Sequence, residues 1–131
     1  MARHRTHVQT RFGDTDALGH VNNASFAAYA ELGRLEFVHH LFDQSVGTII
    51  LASLYLDFRR QVKFREPVHL ETWVSKIGTS SVTLRQVIYA SNERAADVRS
   101  VVVYFDYQAN RPRELPPEIR ATLEPWVESE A

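Results

Sequence analysis

One long helical segment, followed by almost nothing but strand patterns, is the feature that most constrains how this chain can fold. From Ala24 to about Leu41 the sequence is rich in Ala, Leu, Glu and Arg, and no proline occurs before Pro67. Apolar and small residues recur there at steps of three and four, which is typical of a helix with one buried stripe: Phe26, Tyr29, Ala30, Gly33, Phe37 and Leu41. Because glycine costs roughly 1 kcal/mol relative to alanine inside a helix, we expect Gly33 to be required for close packing.

The rest of the chain has the two-residue period and the β-branched and aromatic residues of strands. A first strand is predicted over residues 7–12, and longer ones over 49–58, 68–77, 82–89 and 97–107, before a short helix that ends near Leu123. One helix cannot cover both faces of such a sheet. The predicted architecture is therefore α+β, a curled antiparallel sheet wrapped around one long central helix, with an outer face and edges left for partner chains.

Length and composition narrow the function. A chain of 131 residues has room for one domain, predicted over 1–131, and its formal charge of −1 argues against nucleic-acid binding. It has no cysteine, no signal-like start and no apolar run long enough for a membrane span, so we expect a cytoplasmic protein without membrane association. The histidines outside the cluster described next lack metal-ligand spacing, and neither a metal nor an organic cofactor is implied.

The densest group of chemically capable side chains precedes the long helix. Asp14, Asp16, His20, Asn22 and Asn23 fall within ten residues. Unpaired backbone N–H groups at a helix start favour negative charge, and a carboxylate on the preceding loop could face the same point. Together they offer a nucleophile or general base and a donor for a developing oxyanion, as thioester hydrolysis requires. The plainer alternative is loop structure, with aspartates bonding nearby amides and asparagines capping the helix.

These residues resemble a known family, the hotdog thioesterases of the 4-hydroxybenzoyl-CoA thioesterase and YbgC type. The resemblance covers about residues 7–107, and its most specific string is Arg11-Phe12-Gly13-Asp14-Thr15-Asp16-Ala17-Leu18-Gly19-His20-Val21-Asn22-Asn23. It implies a hotdog fold that hydrolyses acyl-CoA or acyl-carrier-protein thioesters to an acid and a thiol. It also implies a homodimer or homotetramer, with sheets joined edge to edge and active sites at the dimer interface.

The resemblance also implies roles for single residues. Asp16 becomes the catalytic nucleophile or general base, and the backbone N–H of Asn23 becomes the oxyanion donor. His20 either assists the carboxylate or holds the loop, and Asp14 is expected to be structural. In a related branch a helix glutamate is the base, which would be Glu31 here; otherwise we expect Glu31 to form an ion pair.

Five further residues are candidates for substrate binding. Asn22 lies beside the proposed donor, and Phe26 and Phe58 are expected to line the acyl pocket. Arg60 belongs to a short basic run that either blunts a strand edge or binds the phosphates of CoA. Ser81 belongs to a hydroxyl-rich turn, Thr79-Ser80-Ser81, that stands where the 4-hydroxybenzoyl-CoA enzyme has basic residues, so the carrier, CoA or acyl carrier protein, stays open.

Two other functions compete with hydrolysis. A non-catalytic hotdog module would bind an acyl thioester or assemble with partners without turnover. A hotdog dehydratase would carry an aspartate–histidine pair on its helix, and residues 24–40 contain no aspartate. The intact Asp16–Asn23 motif therefore favours the thioesterase.

Overall fold

The computed structural model describes residues 2–42 and 48–129. Its elements follow in chain order: β1 (His4–Val8), α1 (Asn23–Phe42), β2 (Ile49–Phe58), β3 (Val68–Ile77), β4 (Ser81–Ala90), β5 (Glu93–Asp106), β6 (Arg111–Pro112) and α2 (Pro117–Leu123). One-turn 3-10 helices cover Phe12–Asp14 and Glu124–Trp126.

The strands form one antiparallel sheet with the order β1-β3-β4-β5-β2, and the short β6 pairs antiparallel with the end of β5. β2 comes early in the chain but lies at the edge, where it pairs with β5 from Ile49 opposite Tyr104 to Phe58 opposite Ala96. α1 packs on the inner face, mainly against β1 and β3. The arrangement is the curled sheet around one long helix that the sequence predicts.

The prediction for the first strand was wrong. β1 covers His4–Val8 and pairs with Val68–Thr72 of β3, whereas the alternating pattern pointed to residues 7–12. The chain leaves the sheet because the backbone N–H of Arg11 is bonded to the Asp14 side chain at 2.9 Å, which closes a turn there. β5 also begins earlier than predicted, at Glu93, because Ser91 and Asn92 adopt positive φ values of 50° and 64° and make a tight hairpin turn.

Gly33 is needed for packing, as its helix position suggested. A Cβ atom at Gly33 would stand 2.6 Å from Nε2 of Gln86 and 3.1 Å from Cδ2 of Leu70. Gln86 is buried and donates through Nε2 to the Ala30 carbonyl and to Oγ1 of Thr72, both at 3.1 Å. This polar contact between helix and sheet leaves no space for a side chain at Gly33.

β2 is an apolar edge strand. Leu51, Leu54, Tyr55 and Phe58 are between 38% and 55% exposed. Such an edge presents unpaired backbone groups and apolar side chains together, which natural proteins normally cover. No helix among the described residues is long and apolar enough to cross a membrane.

Candidate active site

The loop between β1 and α1 is held from beneath by Asp14. Its side chain is only 5% exposed and accepts hydrogen bonds from the Arg11 backbone N–H at 2.9 Å, the Arg11 guanidinium at 3.1 Å and the Tyr29 hydroxyl at 2.7 Å. Desolvation opposes the charged form, but these donors prevail and lower the pKa of the Asp14 carboxyl. Desolvation and the bond to Asp14 raise the pKa of Tyr29. Asp14 is structural, as expected.

Asp16 occupies the outer side of the same loop. Its Oδ1 accepts the backbone N–H groups of Leu18 at 2.9 Å and His20 at 3.1 Å. The turn closes through Asp16 N–H to the His20 carbonyl at 2.8 Å and through Gly19, whose φ of 81° favours glycine. Oδ2 of Asp16 has no hydrogen-bond partner in the described part of the chain. The carboxylate is thus oriented by one oxygen and open at the other.

The helix start supplies the second chemical group. Asn22 caps α1, since its Oδ1 accepts the Ser25 N–H at 2.9 Å and its carbonyl accepts Ser25 and Phe26 N–H at 3.1 and 3.3 Å. The Ser25 hydroxyl and the Asn22 N–H both donate to the Asp14 carbonyl at 3.0 Å, which joins cap and loop. The backbone N–H of Asn23 makes no hydrogen bond to any described residue, as is usual in the first turn. It is available to an oxyanion.

These groups meet in one open cleft of about 450 Å³. Seven of the eight predicted site residues line it, namely Asp16, His20, Asn22, Asn23, Phe26, Phe58 and Arg60, together with Val21, Arg59 and Gln61. Nothing in the local pattern singled out Val21 or Gln61. They reach the cleft because residues 61–64 lie beside the loop, with Val21 N–H bonded to the Val62 carbonyl at 2.7 Å.

Ser81 and Glu31 lie away from this cleft. Ser81 begins β4, in the row of Val103 and Ile50, whereas Phe58 is at the opposite end of β2. Glu31 is exposed on α1, and the predicted ion pair is absent, since no described cation lies within ion-pair distance of its carboxylate. Across residues 2–42 and 48–129, no group of three or more His, Asp or Glu side chains is arranged to hold a metal ion.

The two arginines of the cleft are bound to carboxylates of the chain itself. Arg60 makes a two-pronged contact with Glu66 at 2.7 and 3.1 Å, and this bond, with the Lys63 N–H and the Ser91 hydroxyl, lowers the pKa of Glu66 to about 2. Arg59 lies between Asp57 and Asp97 at 3.1 and 2.8 Å. A phosphate at either guanidinium would have to share it with these carboxylates.

Known proteins resemble the chain in both sequence and fold. Residues 10–123 match the family model described as the thioesterase-like superfamily. The acyl-CoA thioester hydrolase YbgC of Escherichia coli O6:H1 is 27% identical over 121 residues, which cover 87% of this chain and 90% of that protein.

Two solved structures superpose on nearly the whole chain. A predicted thioesterase from Bacillus stearothermophilus has a TM-score of 0.92 and 28% identity, covering 99% of this chain and 100% of its own. A thioesterase of Thermus thermophilus, crystallised with coenzyme A and zinc, has a TM-score of 0.87 and 29% identity, covering 97% and 96%. These similarities confirm the hotdog fold and the resemblance to hotdog thioesterases.

Proposed function

Because the chain belongs to the thioesterase-like superfamily, we propose that it hydrolyses acyl-CoA thioesters to a carboxylic acid and free CoA, with Asp16 as the working carboxylate. The observation that carries this proposal is the pairing of two unsatisfied groups in one cleft. Asp16 presents a free carboxylate oxygen, and the Asn23 N–H at the start of α1 has no partner among the described residues. One is a base or nucleophile, and the other is an oxyanion donor.

Two routes use this geometry. As general base, Asp16 takes a proton from water while the water oxygen bonds to the thioester carbon; the C–S bond then breaks and the sulfur leaves as thiolate. As nucleophile, Asp16 itself bonds to that carbon, expels the thiolate and forms a mixed anhydride that water hydrolyses. In both routes the carbonyl oxygen becomes negative, and the Asn23 N–H and the start of α1 stabilise that charge.

The neighbouring residues divide the remaining work. Phe26, which is 2% exposed, meets Phe58 edge to face with ring centroids 5.3 Å apart, and we assign this apolar wall to the first carbons of the acyl group. Asn22 keeps the helix start in place, and the His20 ring, which lines the cleft without a hydrogen bond to any described residue, positions water or steadies the carboxylate. Arg60 is assigned to the carrier phosphates, in exchange with Glu66.

We further propose that the active form is a homodimer. Two copies of β2 can pair antiparallel, which continues the sheet and covers the exposed Leu54 and Tyr55. Antiparallel pairing brings the Ile50 end of one β2 to the Phe58 end of the other. Because Ser81 shares the row of Ile50 across β5, Ser81 of one copy would then approach the cleft of its partner. This geometry supports a composite site at the dimer interface.

The test is thiol release, followed with a chromogenic thiol reagent, over a panel of aliphatic and aromatic acyl-CoAs. Asp16→Asn is run beside wild type. Asp106→Asn is the matched control, because Asp106 does not line the cleft and its Oδ1 also accepts two backbone N–H groups, at 2.9 and 3.0 Å. We expect turnover in wild type and in the control and its loss in Asp16→Asn.

Two results would change the assignment. Undiminished turnover in Asp16→Asn would remove Asp16 from the mechanism. Absence of turnover on every CoA ester would direct the same assay to acyl-carrier-protein thioesters, and failure there, combined with measurable binding, would favour the non-catalytic acyl-thioester-binding module.

A further inference from the structure

A second cavity lies between α1 and β2, as the Asp16 cleft does. Asn23 and Phe26 of α1 face Phe58 of β2 at the cleft, whereas later residues of α1 face Ile49 and Leu51 at the other end of β2. The boundary between α1 and β2 therefore runs from the cleft to this second cavity. Its volume is about 160 Å³, room for the end of a chain of a few carbon atoms.

The walls of the second cavity are mostly apolar, with one buried cation among them. Val38, Ile49, Leu84 and Val102 contribute hydrocarbon, Arg34 contributes a guanidinium, and the exposed Glu31 lies at the edge of the lining. A cavity of this composition suits a hydrocarbon chain whose last group accepts hydrogen bonds.

Arg34 is a buried charged residue in the wall of this cavity. It is 7% exposed, and its Nη1 is buried without a hydrogen-bond partner. No ion pair to Arg34 is present among residues 2–42 and 48–129. Burial lowers the pKa of Arg34, and the charge of the exposed Glu31 only partly opposes that shift. Arginine nevertheless stays protonated in proteins, so a buried positive charge faces the cavity. The exposed Glu31 lines the same cavity but is not within ion-pair distance of Arg34, and a buried charge without an ion-pair partner is costly in a folded protein.

The position of Arg34 relates it to the reaction centre. Arg34 follows Asn23 by eleven residues, which on an ideal helix of about 3.6 residues per turn brings it to within roughly 20° of the same face. The axial separation is about 16 Å, and helical side chains lean back toward the helix N-terminus, which shortens the gap. A chain attached to a carbonyl at the Asn23 N–H and lying along α1 would thus lead toward the guanidinium.

We propose that this cavity receives the far end of the acyl group and that Arg34 binds a carboxylate there. The substrates are then ω-carboxyacyl thioesters, the monothioesters of medium-length dicarboxylic acids. This inference rests on the proposed function for its reaction and adds the substrate class. A carboxylate supplies the ion-pair partner that Arg34 lacks among residues 2–42 and 48–129, and it matches the planar fork of arginine.

The first experiment compares matched substrates. Values of kcat/KM are measured for octanoyl-CoA and for suberyl-CoA, which differ only in the terminal carboxylate, with adipyl and sebacyl pairs to cover the chain length. Wild type should favour the best carboxylated substrate by roughly tenfold or more, the worth of one charge-assisted hydrogen bond. Arg34→Met should abolish that ratio, and most of the change should come from a lower kcat/KM on the carboxylated substrate.

Two further variants serve as controls for this comparison. Arg34→Lys keeps the charge but loses the fork, so an intermediate ratio is expected even if Arg34→Met folds poorly. Arg99→Met is the control for a general loss of positive charge, because Arg99 is exposed and its guanidinium lies over the Tyr55 ring, 5.6 Å from the ring centroid. The proposal is overturned if wild type prefers no carboxylated substrate at any length, or if Arg34→Met keeps the preference.

A binding experiment separates this proposal from the proposed hydrolysis. Thermal stabilisation by monomethyl suberate and by methyl octanoate is measured for wild type, Arg34→Met and Asp16→Asn at one ionic strength, because only the first of these esters carries a carboxylate at its far end. If no acyl-CoA is hydrolysed but monomethyl suberate stabilises wild type and Asp16→Asn more than methyl octanoate does, and Arg34→Met shows no difference, the carboxylate site stands without the reaction. Equal stabilisation by the two esters in wild type overturns the site, whatever the assay of hydrolysis shows.

Discussion

The inner and outer sides of the β1–α1 loop carry the same residue type in opposite surroundings. Asp14, on the inner side, is 5% exposed, and its two oxygens receive three hydrogen bonds from Arg11 and Tyr29. Asp16, two residues later, is exposed, receives two backbone hydrogen bonds at one oxygen and has the other oxygen free toward the cleft.

The difference shows how one loop separates stability from chemistry. A buried carboxylate that accepts three hydrogen bonds from its own chain contributes to folding and is not accessible to a substrate. An exposed carboxylate held through one oxygen is oriented but still reactive. The backbone carbonyl of Asp14 joins the loop to the start of α1, because it accepts hydrogen bonds from the Asn22 N–H and the Ser25 hydroxyl.

The largest effect that we expect is a loss of turnover in Asp16→Asn without a loss of stability. The rate should fall by roughly two to four orders of magnitude, the usual contribution of a positioned acid–base group. The free energy of unfolding should change by less than about 0.5 kcal/mol, because asparagine keeps the oxygen that accepts the Leu18 and His20 N–H groups. Urea unfolding beside the rate assay checks this. A loss of several kcal/mol would mean that Asp16 is also an anchor.

The next effect is on stability in Asp14→Asn. We expect a loss of about 2–3 kcal/mol, because the amide removes the charge and turns one acceptor into a donor that faces the donors of Arg11 and Tyr29. The midpoint of urea unfolding should fall with the m-value unchanged. If Asp14→Asn is as stable as wild type, the inner side of the loop does not anchor it.

The sequence predicts the outer side of this loop better than the inner side. Asp16, Asn22 and Asn23 are close in the chain, so their spacing already indicates a carboxylate beside a helix start. The bond from Tyr29 to Asp14 spans fifteen residues and depends on which side of α1 faces the loop. The apolar period assigned Tyr29 to the core correctly but carries no information about its hydroxyl.

The same distinction applies to the fold. β2 and β3 have the predicted bounds because their β-branched and aromatic runs end at turn residues. β1 was predicted wrongly because residues 7–12 alternate like a strand, whereas the Arg11–Asp14 bonds turn the chain away from the sheet. The burial of Arg34 could not be predicted either. An arginine on a helix is usually solvated, and only the packed structure shows that this one is buried.

A smaller loss of stability is expected for Tyr29→Phe. The variant keeps the buried ring but removes the hydroxyl that donates to Asp14 at 2.7 Å, so the expected cost is about 1–2 kcal/mol. Tyr107→Phe, at a tyrosine that is 57% exposed, should cost less than about 0.5 kcal/mol. Both are measured by urea unfolding. Tyr29→Phe in an Asp14→Asn background should then cost less than alone, because the charged acceptor is already gone; equal costs would show that the two groups act independently.

The smallest effect is a dependence of the Asp14 contribution to stability on pH. The surroundings of Asp14 lower its folded pKa, so its contribution to stability is complete above the unfolded value of about 3.9 and is lost as the pH falls through the folded pKa. The difference in unfolding free energy between wild type and Asp14→Asn should therefore be constant from pH 7 to about pH 5 and shrink toward pH 3. Other carboxylates, such as Glu66 with a pKa of about 2, titrate in both proteins and cancel. Urea unfolding at unit steps of pH measures this difference, and a wild type–Asp14→Asn difference that does not shrink in acid would show that Asp14 stabilises the loop by its shape rather than by its charge.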